Sequence, residues 1–141
     1  MLLFPSREWA DEAVRLTNAD PEVASAADDW EHDFGIVIEA EKGKLEKDFS
    51  IHLEPRGGKI ARYKVLRDKD ELEELEPAYY ARAPYSVWKA LMKGELDPVE
   101  AVLKRRIQVE GDLQPLIERA RYKGISDRVL AQIPTTFADE R

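Results

Sequence analysis

Three features of the sequence predict an α+β fold. Residues 34–66 alternate apolar and polar in three runs parted by turn residues, the mark of an antiparallel meander. The segments before and after them carry apolar stripes at helical spacing. The stretch KGELDPVEAVLKRRIQVEGD, residues 93–112, packs a helix end, a tight turn, a short helix, a strand, a turn and a helix start into one passage.

Taken in order, Ser6 is placed to cap a first helix whose stripe is Trp9, Ala13 and Leu16, with Ala10 and Val14 beside it. Asn18-Ala19-Asp20-Pro21 ends that helix and opens a short alanine-rich one, running from Glu22 to about Trp30. In FGIVIEAE the period becomes two, with Phe34, Ile36, Ile38 and Ala40 on one face. Lys42-Gly43 stands where a two-residue hairpin turn is expected. KLEKDFSIHLE follows, with Leu45, Phe49, Ile51 and Leu53 on one side. Pro55-Arg56-Gly57-Gly58 turns the chain into a third strand, KIARYKVL. The acidic run 68–76 reads as a solvated connection in which Leu72 and Leu75 can dock a helical turn.

AYYARA at 78–83 is the fourth strand, and Pro84 opens a helix with the stripe Val87, Trp88, Leu91 and Met92. Gly94 sits at the C-cap of that helix. Asp97-Pro98 is an N-cap followed by proline at the first helical position. Val99, Val102 and Leu103 are expected to face inward. RRIQVE is the fifth strand, Gly111 breaks it, and Asp112 caps a last helix with the stripe Leu113, Leu116, Ile117 and Ala120, continued by Val129. Gly124 and Ser126 are expected to interrupt that helix before a short resumption at Asp127. The prediction is one domain across residues 1–141, with helices within 1–31 and a frayed tail at 134–141.

Composition narrows the function classes. Hydrophobic residues at 43% and charged residues at 36% describe neither a disordered chain nor a membrane protein. Against 22 Lys and Arg stand 29 Asp and Glu, a formal net charge of −7, which repels phosphate backbones and disfavours nucleic-acid partners. The chain has no cysteine, so disulfides, thiolate catalysis and zinc–thiolate sites are excluded. The start, MLLFPSREWADEA, has no basic segment followed by a long apolar one, and the expected location is cytoplasmic.

The run APYSVWKALMKGELDPVEAVLKRRIQVEGDLQPL, residues 83–116, resembles the C-terminal half of sterol carrier protein type 2 domains. There an aromatic-bearing helix ends in glycine, Asp-Pro starts a short helix, and a strand ending in Gly-Asp or Gly-Asn leads into the last helix. Trp88, Gly94, Asp97-Pro98 and Gly111-Asp112 match in type, order and spacing. With the upstream hairpins the resemblance spans roughly Phe34 to Leu116. It departs at Lys104-Arg105-Arg106, where the family usually carries a glycine before the strand.

The resemblance implies a five-stranded, mostly antiparallel curved sheet covered by helices, with an apolar tunnel between them. The tunnel would take a fatty acid, a sterol or another lipid, with no metal or organic cofactor and no chemistry. Its expected lining is Trp88, Leu91, Met92, Val102, Leu103, Leu116 and Ile117. Transient membrane contact, and a monomer or a homodimer, are compatible with it. Lys104, Arg105 and Arg106 are candidates for a head-group contact, or else a solvated strand edge. Tyr79, Tyr80 and Tyr85 suit a pocket rim and suit a packed strand equally.

Two alternatives stay open. Stripes at helical spacing are the usual sign of a filled core, which would leave a dimerising interaction module or small subunit. An enzyme has weaker support. His52 alternates with Ile51 and Leu53 and points away from their face, while Glu31, His32 and Asp33 are consecutive and do not share one. Ser50 and Ser86 lack a nucleophile-elbow pattern, and Gly57-Gly58 lacks the helix that phosphate cradling requires.

Overall fold

The structure is a computed structural model that describes residues 1–119 and 123–141, so Ala120 of the predicted last stripe lies outside the described residues. The chain runs β1 (Leu2–Phe4), α1 (Arg7–Ala19), α2 (Pro21–Ala26), β2 (Phe34–Glu39), β3 (Phe49–Arg56), β4 (Lys59–Leu66) and α3 (Lys69–Glu74). It continues β5 (Tyr79–Pro84), α4 (Tyr85–Met92), α5 (Pro98–Leu103), β6 (Gln108–Glu110), α6 (Leu113–Arg119), α7 (Lys123–Leu130), β7 (Thr135–Phe137) and a 3₁₀ turn (Ala138–Glu140). Among the described residues no helix is long and apolar enough to cross a membrane.

The sheet has five strands in the order β4-β3-β2-β5-β6, antiparallel except for β2 beside β5. Register sets the faces. Ile36 and Ile38 lie opposite Ile51 and Phe49 on one side and Ala81 and Ala83 on the other. This face packs on α4 and α5 through Val87, Ala101 and Trp88. The Trp88 indole N–H donates to the carbonyls of Val37 at 3.1 Å and Ala83 at 3.0 Å. Those carbonyls belong to the two parallel strands, so α4 ties them from above.

The sequence predicts one apolar face for the meander; the structure covers the other face as well. The acidic run forms α3, capped by Asp68 on the Glu71 N–H at 3.0 Å. Leu72 is fully buried against Val37, Leu66 and Tyr80, while Leu75 stays 49% exposed. Gly35 makes this approach possible, since a Cβ there would lie 2.8 Å from a Leu72 methyl. On the same face the Ser50 hydroxyl is buried without a hydrogen-bond partner. His52 points there as its alternation implies, yet it is buried rather than solvated. Its Nε2 lies 2.7 Å from Asp33 Oδ2, and Asp33 Oδ1 accepts the Ala78 N–H at 2.8 Å. Partial burial works to raise the Asp33 carboxyl. The Ala78 N–H and His52 together outweigh it and hold the group below the usual range.

Most punctuation residues do what their chemistry dictates. Ser6 accepts the Trp9 N–H at 3.1 Å, and Asp97 accepts the Glu100 N–H at 3.0 Å with Pro98 at the head of α5. Gly94, at φ +72°, closes α4 with two bonds, its own N–H to Leu91 O and the Glu95 N–H to Ala90 O, the Schellman pattern.

Several boundaries differ from the prediction. The second helix stops at Ala26, because Trp30 turns away to stack on Phe34 and Tyr79. The turn at Lys42-Gly43 is three residues long inside a Glu41–Leu45 bridge, and β3 begins only at Phe49. Glu41 is drawn instead to the start of α4, where its carboxylate accepts the Ser86 N–H at 2.7 Å and is held below its usual pKa by its bonds to Ser86. The fifth strand shortens to Gln108–Glu110. In α5 it is Ala101 that is fully buried, and Leu103, about 200° further round the helix, is 68% exposed. Gly124 and Ser126 lie within α7 and do not break it.

The predicted frayed tail is ordered. Residues 135–137 pair in parallel with Leu2–Phe4, and the Phe137 ring lies 5.9 Å from that of Phe4. Lys89 and Lys93 sit over the Phe137 ring, and Lys89 also pairs with Asp139 and Glu140. The buried Tyr85 hydroxyl donates to Asp139 at 2.7 Å; burial, with that carboxylate, pushes its pKa to about 12.

Arg105 takes a left-handed backbone at φ +59°, in the triplet where the resembled family usually has glycine. A side chain there costs about 1–2 kcal/mol, so Arg105→Gly is expected to stabilise the fold by about 1 kcal/mol. An unchanged urea midpoint would contradict the assigned backbone. Phe137→Ala is expected to lower stability by about 2 kcal/mol, below the usual range for a fully buried ring because Phe137 is partly exposed. A frayed tail would leave the midpoint where it was.

Candidate functional site

A cavity of about 280 Å³ lies between the helices of the two chain ends and the β2–β4 side of the sheet. Phe34, at the start of β2, forms its floor with Pro55 and Ile60 of the β3–β4 hairpin. A register shift between Glu54 and Pro55 bends that hairpin away from strict pairing. Val23 and Ala26 of α2, Leu116 of α6 and Val129 of α7 line the rest of it. The wall is thus mostly aliphatic and aromatic, with Thr17 and Ser126 as its hydroxyls and Lys59 and Arg119 as its cations.

α2 has only six residues, none of them buried, so packing alone does not hold it. Arginines hold it at both ends. At its start, Asp20 caps the Glu22 and Val23 N–H groups and receives a forked pair from Arg128 of α7 at 2.6 and 3.1 Å. The Arg128 guanidinium holds the Asp20 carboxyl below the usual range. At its end, Arg119 of α6 donates to Ala26 O and to Asp29, each at 2.7 Å, and stands over the Trp30 ring at 5.3 Å. Gly58, at φ +82°, brings the β3–β4 turn under α2, where a Cβ would run into the Ala24 carbonyl.

Trp30 carries the aromatic floor. Its ring stacks on Phe34 at 5.6 Å and 7°, meets Tyr79 at 5.6 Å, and donates its N–H to His32 O at 2.9 Å. His32 itself is exposed, its ring edge against Trp30. Tyr79, Tyr80 and Tyr85 are all buried and bonded to Asp112 O, Glu73 and Asp139 respectively, as packed strand and helix residues.

Of the seven residues expected to line a tunnel, Leu116 is in the cavity wall. Ile117, next to it on α6, is 39% exposed and outside the wall. Trp88, Leu91 and Val102 pack around Ala83, Val87, Ala101 and Ile107, and Met92 packs near Phe4 and Tyr85. Leu103 faces outward. Lys104 pairs with Glu100, and Lys104, Arg105 and Arg106 are exposed and line none of the cavity.

Sequence reasoning missed Val23, Ile60 and Arg119. Val23 sits in a helix too short to show a stripe, and Ile60 in a strand read only for its meander face. Arg119 looks like an ordinary helix-surface cation. Pro55 and Gly58 were visible only as turn residues. For catalysis, the Ser50 hydroxyl makes no bond to His52, and no group of three or more His, Cys, Asp or Glu among the described residues is placed to hold a metal.

With Asp20 ionised through its bond to Arg128, its contribution to stability is present above its unfolded pKa and lost as pH falls through the lower folded value. Asp20→Asn is therefore expected to lower the thermal midpoint between about pH 5 and 7, the gap to the parent closing below about pH 4. A gap that stayed constant down to about pH 3 would show that the ion pair is not its source.

The model of the SCP-2 sterol transfer family matches residues 12–118. No curated protein matches the sequence. Solved structures share the fold. The crystal structure of sterol carrier protein 2 superposes with a TM-score of 0.73 at 17% identity, over 91% of this chain and 97% of that one. A conserved hypothetical protein of Thermus thermophilus, described as possibly a sterol carrier protein, superposes at 0.71 and 19% identity, over 92% and 90%. The palmitated SCP2L2 of Aedes aegypti does so at 0.54 and 15%, over 84% and 94%. With a family model spanning most of its length and this α+β architecture, the chain belongs to the SCP-2 sterol transfer family.

Proposed function

We propose that this protein binds a lipid with a narrow apolar chain in the cavity between α2, α6, α7 and the β2–β4 side of the sheet, and carries it without chemical change. The observation that supports this is the wall itself: Val23, Phe34, Ile60, Leu116 and Val129 converge from five elements and leave the space between them unfilled. Unfilled apolar volume costs stability, so such a space is expected where a ligand offsets the cost. Family membership supports lipid binding or transfer in general terms.

The volume of about 280 Å³ lies just below the usual range of ligand sites, about 300–1,000 Å³. It favours one acyl chain over a fused-ring lipid. Partition supplies the affinity, about 0.8 kcal/mol for each methylene buried, less the cost of ordering the chain. Flexible Met92, near Phe4 and Tyr85, is assigned to gap filling, and the α4–α5 cluster of Trp88, Leu91 and Val102 to the core.

Leu116→Trp and Val23→Trp are expected to reduce uptake of a fatty acid at least about tenfold while far-UV circular dichroism stays unchanged. Leu91→Trp overpacks the α4–α5 cluster and is expected to cost about 1–3 kcal/mol of stability with uptake retained. Uptake kept by both cavity variants and lost in Leu91→Trp would move the ligand to the α4–α5 side. Native mass spectrometry with solvent extraction of the purified protein checks the reading directly. An apo mass with no uptake of added lipid would overturn it.

A further inference from the structure

We infer that a second copy of this chain docks on the open part of the sheet face beside α3, each copy laying its acidic α3 against the other's basic β3–β4 surface. On that face β3 and β4 pair Ser50 with Leu66, His52 with Lys64 and Glu54 with Arg62. α3 covers the first pair, where Leu66 packs on Leu72. With only six residues it leaves the far end open, and the Lys64 and Arg62 side chains are 71% and 84% exposed. His52, Glu54, Arg62 and Lys64 line a groove of about 550 Å³ there. Leu75 lines it too; it is three residues after Leu72, on the same side of the helix, and is half exposed. The groove shares no lining residue with the lipid cavity, so the two are separable.

Charge identifies the occupant. Residues 56–67 carry five cations, Arg56, Lys59, Arg62, Lys64 and Arg67, and no acid, whereas residues 68–76 carry six acids and one lysine. A chain of net charge −7 thus holds a basic strand and an acidic helix side by side. Within one copy the two meet weakly. Arg62 lies 3.8 Å from Glu54 and Lys64 3.4 Å from Glu71, pairs open to water that change partner at little cost. Asp70, Glu74 and Glu76 are exposed and make no ion pair among the described residues. The free acids of one copy match the open cations of the other, and a surface carrying both signs is self-complementary about a twofold axis. The same contact covers Leu75 of each copy. Edge-to-edge pairing of two β4 strands is the competing arrangement, since β4 is an edge of the sheet. It sets Arg62 and Lys64 against their own counterparts, which like charge opposes. Asn18 also takes both backbone groups of Ile60 on β4, at 2.7 and 3.0 Å.

The test is sedimentation equilibrium of the full chain. A dimer is expected, at twice the 16.2 kDa of one copy. Its dissociation constant is expected to rise about tenfold between about 0.05 and 0.5 M salt. Arg62→Glu with Lys64→Glu, and separately Asp70→Lys with Glu74→Lys, are each expected to weaken the dimer at least about tenfold. An equal mixture of the two double variants is expected to restore it, because each then meets the opposite charge at both contacts. Misfolded variants cannot produce that recovery. Leu75→Ser is expected to weaken the dimer about fivefold with the thermal midpoint of the monomer unchanged. A parent that stays monomeric at about 1 mM chain would overturn the proposal. So would a dimer that Arg62→Glu with Lys64→Glu tightens, which would place the contact at the β4 edge. Fatty-acid uptake is expected to be the same in every variant, so failure of the dimer leaves the carrier reading standing.

Discussion

Val37 sits at the middle of β2, fully buried, in a strand paired along both edges and covered on both faces. Everything else is arranged around that strand. Its antiparallel partner β3 leads into the hairpin that floors the cavity, and its parallel partner β5 leads into α4. A parallel pair needs a long crossover, and here the crossover is the rest of the meander plus α3. The Trp88 indole bonded to one carbonyl of each strand is the point where helix and sheet are joined. Removing that burial would disconnect the cavity floor from the helices that close it.

From this centre the molecule divides into a filled side and an unfilled side. On the filled side, α4 and α5 meet the sheet through Ala83, Val87, Ala101 and Ile107, small and medium side chains that leave little space. On the unfilled side, α2 offers alanines and Val23; its Ala24 backbone rests on Gly58 of the β3–β4 turn, and polar pairing holds its two ends. Asp20 with Arg128 and Arg119 with Ala26 and Asp29 hold the two ends of a helix in which no residue is fully buried. Polar anchoring at the rim is what lets an apolar interior stay open, because the rim does not depend on the contacts that the interior lacks.

The tail shows the same economy. β7 lies against β1, and the two ends of the chain share Phe4 and Phe137. Trp9 of α1 donates its indole N–H to Thr135 at 3.0 Å, so the first helix is also positioned by the last strand. α1 in turn carries Thr17 and leads into α2, so the order of the tail reaches the cavity wall through one helix.

The sequence by itself determined the local elements, because their causes are local. Ser6, Asp20 and Asp97 cap the helices that follow them, Gly94 ends α4, and the alternation from Phe34 to Leu66 places three strands in order. The family was legible for the same reason, since its motif is a run of such caps and turns. Tertiary structure alone decided which apolar residues fill space and which leave it. Trp88, Leu91 and Leu116 carry indistinguishable stripes, yet of the three only Leu116 faces the cavity. The difference lies in which distant segments each stripe meets, among them α2, to which Arg119 and Arg128 reach back across most of the chain. Leu72 beneath Gly35, His52 on Asp33 and Phe137 on Phe4 were hidden likewise. Each is a contact between segments whose own patterns are complete without it.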